Sequence, residues 1–454
     1  MAEKENLSNS LESEESASLK NSKNIYLQFW YKQRKILVRS ILFIFASLFL
    51  ITLYSSKSVI FNEKYSNLHN YSKQETHFYG YPLKLIDNLV RDKEISFVFP
   101  VYSGHAESLL NLLRSIRNLC NDCTHVPMII ITDDASQNLI HETLHKNHSL
   151  SDPSMKQSFP NLLIKRLRDV MPYYEANKWD DNSLVVNGKY LFQSHKKMFG
   201  VLNGASTRFS LVMDADGFIF KPMSLAHISK IYLSSPYIFT AHGWSVGRDM
   251  IECAENLTGS FLSTSYTLEI MHWIYDREIV SDLNKVVLSQ YPTWNVPMLF
   301  RKPYFFEVAY YHFIMSNQIL YRKYMEYRVV DVRTLLGGNF SPLFQAVTTS
   351  GSGGMIERIG LSMSKFPKIY NDIIHIWKIF QIPFYRPEGD ERVQLDFVLD
   401  TDAVVMTNNF MLGLYRMGMS DYWKNPQEAL KNAEKQGWKS LADHLKNRTS
   451  QTRN

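Results

Sequence analysis

Cysteine is scarce, three in 454 residues, and glycine and proline are few. A disulfide scaffold and a collagen-like chain are thereby excluded. A wholly disordered chain is excluded too, because 45% hydrophobic and 13% aromatic residues can build a large core. Charge of one sign is also in short supply. The formal net charge of +6 is small for this length and no long Lys/Arg stripe appears, so nucleic acid is not an expected partner. No internal repeat is visible. The glycine-rich stretch 350–354 lacks the Lys-Ser/Thr of a phosphate loop and reads as either a mobile lid or a plain loop.

Long hydrophobic runs are missing except for one. Residues 40–56 are uncharged and mostly apolar, bracketed by Arg39 and Lys57. At 1.5 Å per residue they cover about 25 Å, enough to cross a thin bilayer if the flanking basic residues snorkel. The polar tail before them is too long for a signal-peptide n-region, and no small-residue cleavage site follows. Lys32, Arg34, Lys35 and Arg39 precede the segment, against Lys57 and Lys64 after it, so the N-terminus is expected in the cytosol and the rest in a lumen. Five acceptor sequons, at Asn70, Asn147, Asn256, Asn339 and Asn447, lie on the lumenal side of that topology, and one, at Asn6, lies on the other. The expected organisation is a cytosolic tail over 1–35, a signal-anchor over 36–57, a stem over 58–93, one catalytic domain over 94–446 and a short tail over 447–454.

From Glu94 onward apolar strands alternate with amphipathic helices. Strands are expected at 95–101, 126–132, 162–167 and 209–213, with helices at 107–119, 136–146 and 190–204 between them. Such alternation implies an α/β domain, a Rossmann-like mostly parallel sheet flanked by helices, with ligands at the carboxyl ends of the strands. Acidic pairs, Asp133 with Asp134 and Asp214 with Asp216, stand at two of those ends. Further helices are expected at 262–289, 304–325 and 426–446, and a strand at 393–399.

Residues 211–218 read Leu-Val-Met-Asp-Ala-Asp-Gly-Phe. Two carboxylates one residue apart, just beyond a buried strand, can hold a hard divalent cation that bridges a diphosphate. This resembles the Asp-x-Asp motif of GT-A glycosyltransferases, nucleotide-diphospho-sugar transferases that use manganese or magnesium. The strand from Phe97 to Tyr102 and the helix after Glu107 look like that family's first nucleotide-binding unit, and Ile129 to Asp134 like its second. The resemblance implies a GT-A-like fold in which Asp214 and Asp216 bind the metal, Asp133 or Asp134 reads the nucleoside, and Lys197, beside Lys196, helps hold the diphosphate. It also implies that Glu307, in the Glu-plus-Tyr segment 305–311, activates or orients the acceptor hydroxyl. The implied activity is transfer of a hexose from a nucleotide sugar, a UDP-sugar by analogy, to a glycan acceptor in the Golgi or endoplasmic reticulum. His242 and His375 are candidates for a third metal ligand.

Other readings accompany this one. A second Asp-x-Asp, Asp400 and Asp402, follows another apolar run, but it comes late and lacks the preceding helix. The motif also opens haloacid-dehalogenase-like phosphatases, with the first Asp as nucleophile, although there it begins the fold. A non-catalytic lumenal subunit, working in a complex with other Golgi transferases, is a third reading. Cys120 and Cys123 have redox or half-zinc spacing without a second pair to complete zinc coordination. They can bond to each other, or one of them to Cys253.

Overall fold

The computed structural model describes residues 80–146, 161–175, 189–219, 221–240, 248–261, 274–294, 304–321, 327–331, 367–385, 401, 405–406 and most of 425–446, with 436, 438, 440 and 444 excepted. They belong to one compact unit, Phe78–Asn454. The strands are β1 (Ile95–Pro100), β2 (Met128–Thr132), β3 (Leu162–Arg166), β4 (Phe209–Val212), β5 (Phe218–Ile219), β6 (Tyr237–Thr240), β7 (Ile274–Asp276), β8 (Arg328–Asp331), β9 (Phe384–Tyr385) and β10 (Val405–Met406). The longer helices are α1 (Ala106–Leu119), α2 (Asp134–Lys146), α3 (Lys189–Phe199), α4 (Leu225–Ser234), α5 (Arg248–Thr258), α6 (Arg277–Gln290), α7 (Phe306–Tyr321), α8 (Pro367–Phe380) and α9 (Pro426–Lys435), and single helical turns lie at Leu83–Ile86 and Leu167–Val170.

The main sheet has the order β3-β2-β1-β4-β7. Its first four strands are parallel and β7 runs antiparallel to β4. Strands β1, β2 and β4 are buried along their whole length. This is why they read as unbroken apolar runs rather than alternating ones: helices cover both faces of a parallel sheet. The edge strand β3 is only partly buried and leaves Leu163 52% exposed. From β1 the chain goes to β2 and β3 on one side and to β4 on the other. The direction of winding therefore reverses between β1 and β4, and at such a point the strand ends splay into a crevice that admits a ligand.

Helix α3 and the π-type turn that follows it, Gly200–Gly204, lie close against β1 and β2. A Cβ at Gly200 would meet Val98 Cγ1 at 2.7 Å and Ile131 Cγ1 at 2.9 Å, so only glycine lets the helix approach the sheet this closely. That contact sets the height at which the last turn of α3, with its two lysines, stands over the strand ends.

Two expectations need correction. The segment 262–289 is not one continuous helix: β7 occupies 274–276, and Asp276 then caps α6 by accepting the Glu278 N–H at 2.8 Å. Residues 80–93 are not stem. Tyr81, Ile86 and Leu89 are buried in the same core as the sheet, and the Tyr81 hydroxyl donates to Asp276 Oδ2 at 2.5 Å. The body thus starts before Glu94. Its far end, through Leu441 and Leu445, joins that core as well.

The expected anchor, the glycine-rich stretch 350–354, His242 and the strand at 393–399 lie outside the described residues. Among the described residues, no helix is long and apolar enough to cross a membrane. Of the five sequons only Asn256 is described. It sits within α5, with its amide donating to the Glu252 carbonyl at 2.6 Å.

Candidate functional site

The carboxyl ends of β1, β2 and β4 bring the acidic pairs to one side of the sheet. Beyond β4 the Met213 N–H still donates to the Val98 carbonyl, continuing the parallel ladder at 3.0 Å. The chain then turns: the Gly217 N–H donates to the Asp214 carbonyl at 2.8 Å, which places Ala215 and Asp216 at the apex. Ala215 is buried, while Asp214 and Asp216 are partly exposed. The turn feeds β5, which pairs antiparallel with β10. Thr401, between the two aspartates of the later Asp-x-Asp, is buried and its carbonyl accepts from Lys221 Nζ at 2.7 Å. That segment therefore runs beside the exit of the first motif. Asp400 and Asp402 themselves lie outside the described residues.

Helix α3 supplies the cations. Gln193 and Lys197, four residues apart, share a face and both donate to Asp214 Oδ1, at 2.9 Å and 3.0 Å. Lys197 Nζ also donates to Glu307 Oε1 at 2.5 Å. Burial alone would lower the Lys197 ammonium, but Asp214 and Glu307 outweigh it and hold the group above its ordinary value. Lys196 faces the other way. Its Nζ donates to the Val101 carbonyl at 2.6 Å and to Asp133 Oδ2 at 2.9 Å.

Glu307 stands in the first turn of α7, where a negative charge is favoured by the helix dipole. Ser194 joins α7 to α3: its hydroxyl donates to the Tyr304 carbonyl at 2.8 Å and accepts from the Phe306 N–H at 3.1 Å. Lys197 and Glu307 are thus positioned by a bond only one turn away along α3. Glu307 is 5% exposed, and its Oε2 has no hydrogen-bond partner among the described residues. The buried Tyr275 hydroxyl, in β7, is in the same position. The Tyr275 ring packs on Phe306 and Tyr310, which lie on either side of Glu307 along α7. Burial first, and then Glu307, push the Tyr275 phenol well above its usual value.

On the β1–β2 side, Asp133 is buried and spent. Oδ1 accepts the Ser136 N–H at 2.7 Å, capping α2, and Oδ2 takes Lys196. Burial raises this carboxyl, but Lys196 and the two hydrogen bonds prevail and leave it below the usual carboxylate range. Asp134 is one third exposed and pairs with Arg168 Nε at 2.8 Å. Tyr102, just past β1, is 44% exposed, and its ring lies 4.1 Å from that of His105.

The structure therefore brings Asp214, Lys197 and Glu307 together and sets Asp133 with Lys196 apart from them. The Lys197 ammonium lies between two carboxylates, Asp214 and Glu307. Gln193, Ser194 and Tyr275 were not expected as site residues. The i,i+4 spacing of Gln193 and Lys197 was the one signal available, since Tyr275 reaches the site through a strand hidden in an expected helix. His195, between Ser194 and Lys196, is wholly buried against Phe199, Trp294 and Tyr304, and burial holds its pKa at about 3, so its imidazole is neutral.

Asp214 and Asp216 offer hard oxygen donors, and Asp214 already holds a cation in the Lys197 ammonium. These residues fit a small hard divalent ion such as manganese or magnesium. Among the described residues they gather no third histidine, cysteine or carboxylate into ligand range, and His375 is exposed on α8. Cys120, Asp122 and Cys123 do lie within ligand reach of one another. Cys120 and Cys123, however, are bonded to each other, leaving Cys253 free and buried. The Asp122 carboxylate caps α4, accepting from the Leu225 N–H at 2.7 Å, the Ala226 N–H at 3.0 Å and the Ser224 hydroxyl at 2.7 Å. The role of this loop is structural.

Fold and site together define an α/β protein with an acidic turn at the switch point of a parallel sheet, backed by a buried lysine and glutamate. No family model and no curated protein matches the sequence. Among solved structures the chain is similar to apo WbbM, a bifunctional glycosyltransferase, at 11% identity and a TM-score of 0.31, covering 54% of this chain and 39% of that one. It is similar to S. aureus TarS at 13% and 0.25, covering 72% and 55%, and to TarS 1-349 in complex with UDP-GlcNAc at 13% and 0.24, covering 76% and 92%. The likenesses are partial and distant, and the chain spans well under two thirds of the first two structures.

Proposed function

We propose that this chain is a metal-dependent glycosyltransferase that moves a sugar from a nucleoside-diphosphate donor, a UDP-hexose by analogy, to a glycan acceptor hydroxyl. One observation carries the reading: the Asp214–Asp216 turn, where a metal–diphosphate would sit, and Glu307, a buried acid with one oxygen unsatisfied among the described residues, converge on the same lysine. Asp214 and Asp216 hold the metal, which when bound supplies positive charge to the departing diphosphate. Tyr102 offers its exposed ring to the base, and Asp134 is the nucleoside-side carboxylate that solvent can reach, since Asp133 is spent on Lys196 and the α2 cap. The acceptor hydroxyl donates to Glu307 Oε2, which orients it and can take its proton as the sugar transfers. A base in that position corresponds to inversion at the transferred carbon.

The phosphatase reading is less well supported. Three strands precede the motif strand, and an antiparallel strand borders it. The reading is tested by incubating the purified protein with a panel of nucleotide sugars, with and without manganese. Release of nucleoside diphosphate that requires the metal is expected. Binding without turnover would instead favour a non-catalytic subunit working beside other transferases, and hydrolysis of phosphomonoesters would favour the phosphatase.

We also propose that residues 36–57 anchor the chain in the Golgi or endoplasmic reticulum membrane, with the catalytic body in the lumen. The apolar stretch 40–56, the basic residues before it and the Cys120–Cys123 bond, which suits an oxidising compartment, support this. Intact microsomes should shield the C-terminal body from added protease. Digestion without detergent would overturn the topology.

A further inference from the structure

Lys197 is placed where it governs two groups at once. Its ammonium, in a side chain 11% exposed, lies 3.0 Å from Asp214 and 2.5 Å from Glu307. Around this ammonium Asp214 and Glu307 bring two negative charges against its one positive charge. A cation coordinated by Asp214 must share that carboxylate with the ammonium or drive the ammonium toward Glu307. Glu307 has the means to receive it, because its Oε1 already accepts from Lys197 and its Oε2 has no partner among the described residues.

We propose that Lys197 is a positioning residue that sets the affinity of the Asp214–Asp216 site for a divalent cation, with Glu307 as the counterweight that holds it back from the metal. The proposal rests on the metal reading above and departs from a diphosphate-binding role for this lysine. Ions a few ångströms apart in a partly buried site interact strongly enough for one unit of charge to change affinity by about tenfold or more. The signs are fixed by that arithmetic. Removing the ammonium leaves excess negative charge and tightens metal binding. Removing the Glu307 charge leaves Asp214 as the one negative charge facing the ammonium and weakens metal binding. Removing both restores the balance.

The experiment is titration of manganese into the full-length protein in detergent, without donor, followed by calorimetry. Lys197→Met is expected to tighten binding about tenfold or more and Glu307→Gln to weaken it about tenfold, while the double variant returns close to wild type. Lys197→Arg, which keeps the charge, should stay within about threefold of wild type. A purely structural role for the lysine would not give opposite signs. Where Lys197→Met alone fails to fold, because two carboxylates lose their shared partner, the comparison of Glu307→Gln with the double variant carries the test, and equal affinities there overturn the proposal. Weaker binding in Lys197→Met overturns it too. Asp214→Asn separates the two layers. If it abolishes manganese binding while the Lys197 and Glu307 variants bind like wild type, only this proposal fails, whereas undiminished binding in Asp214→Asn overturns the metal reading beneath it.

Discussion

Glutamine in place of Glu307 is expected to slow sugar transfer by about 10²–10⁴-fold, the usual worth of a positioned proton acceptor, with donor binding kept when metal is saturating. The substitution is close to isosteric. A glutamine oxygen still accepts from Lys197 Nζ, and Ser194 still holds the start of α7 against α3. What disappears is the negative charge, and with it the capacity of Oε2 to take a proton. The apo geometry fits such a role. An acid with one oxygen clamped and the other buried without a partner among the described residues is costly, and an incoming hydroxyl is a donor that would relieve it. The loss of a favourable helix-dipole interaction costs about 0.3–1 kcal/mol, and leaving the buried Lys197 ammonium with Asp214 as its one charged partner costs about 1–3 kcal/mol more, reduced by the hydrogen bond that glutamine keeps, so the protein should remain folded with a measurable loss of stability. Initial rates against acceptor concentration, with donor affinity measured separately, check this. Turnover at the wild-type level would remove Glu307 from the chemistry, and loss of donor binding at saturating metal would move it to the donor side.

How much of this arrangement could be read in advance depended on whether the signal was local. Strands β1, β2 and β4 were legible because a strand buried on both faces must be apolar throughout, and α1 because Leu109, Leu112, Leu113 and Ile116 repeat at helical spacing. Their alternation was enough to imply a parallel sheet and to place Asp133 and Asp214 at strand ends. Strand β7 was not legible. It is three residues long, it joins the sheet antiparallel, and it runs straight into α6. Residues 80–93 looked like stem because their average composition is polar, whereas Tyr81, Ile86 and Leu89 are buried one by one among polar neighbours.

The lysine pair shows the same limit at the site. Lys196 and Lys197 are adjacent in sequence but about 100° apart around α3, so one points to the end of β2 and the other to the end of β4. Which carboxylate each one meets follows from β2 and β4 lying on opposite sides of β1. That is a property of strand order, and no spacing along the chain encodes it. The pairing of Lys197 with Glu307 is longer in range still, since 110 residues separate them.

The two motif aspartates, alike in sequence, are expected to part company when mutated. Asparagine at either Asp214 or Asp216 should lower transfer by about a thousandfold or more, because a metal on a leaving diphosphate contributes several kcal/mol and each 1.4 kcal/mol or so is a factor of ten. Stability should separate them. Asp214 is one of the two carboxylates on the buried Lys197 ammonium, with its side chain 23% exposed. Its neutralisation leaves that ammonium to Glu307 alone. Breaking a fully buried pair costs about 3–5 kcal/mol, and the partial exposure of Asp214 together with the remaining partner brings the expected loss down to about 1–2 kcal/mol. Asp216 stands at the apex of the turn, and neutralising it leaves the Lys197 pairings in place, so Asp216→Asn should keep the stability that the Asp214–Lys197 contact contributes while being equally inactive. Denaturant unfolding of the variants, measured beside donor turnover with saturating manganese, tests whether Asp214 serves the lysine as well as the metal. Full turnover in both would remove the metal role, and wild-type stability in Asp214→Asn would mean that the Asp214–Lys197 contact contributes nothing to holding α3 against the sheet.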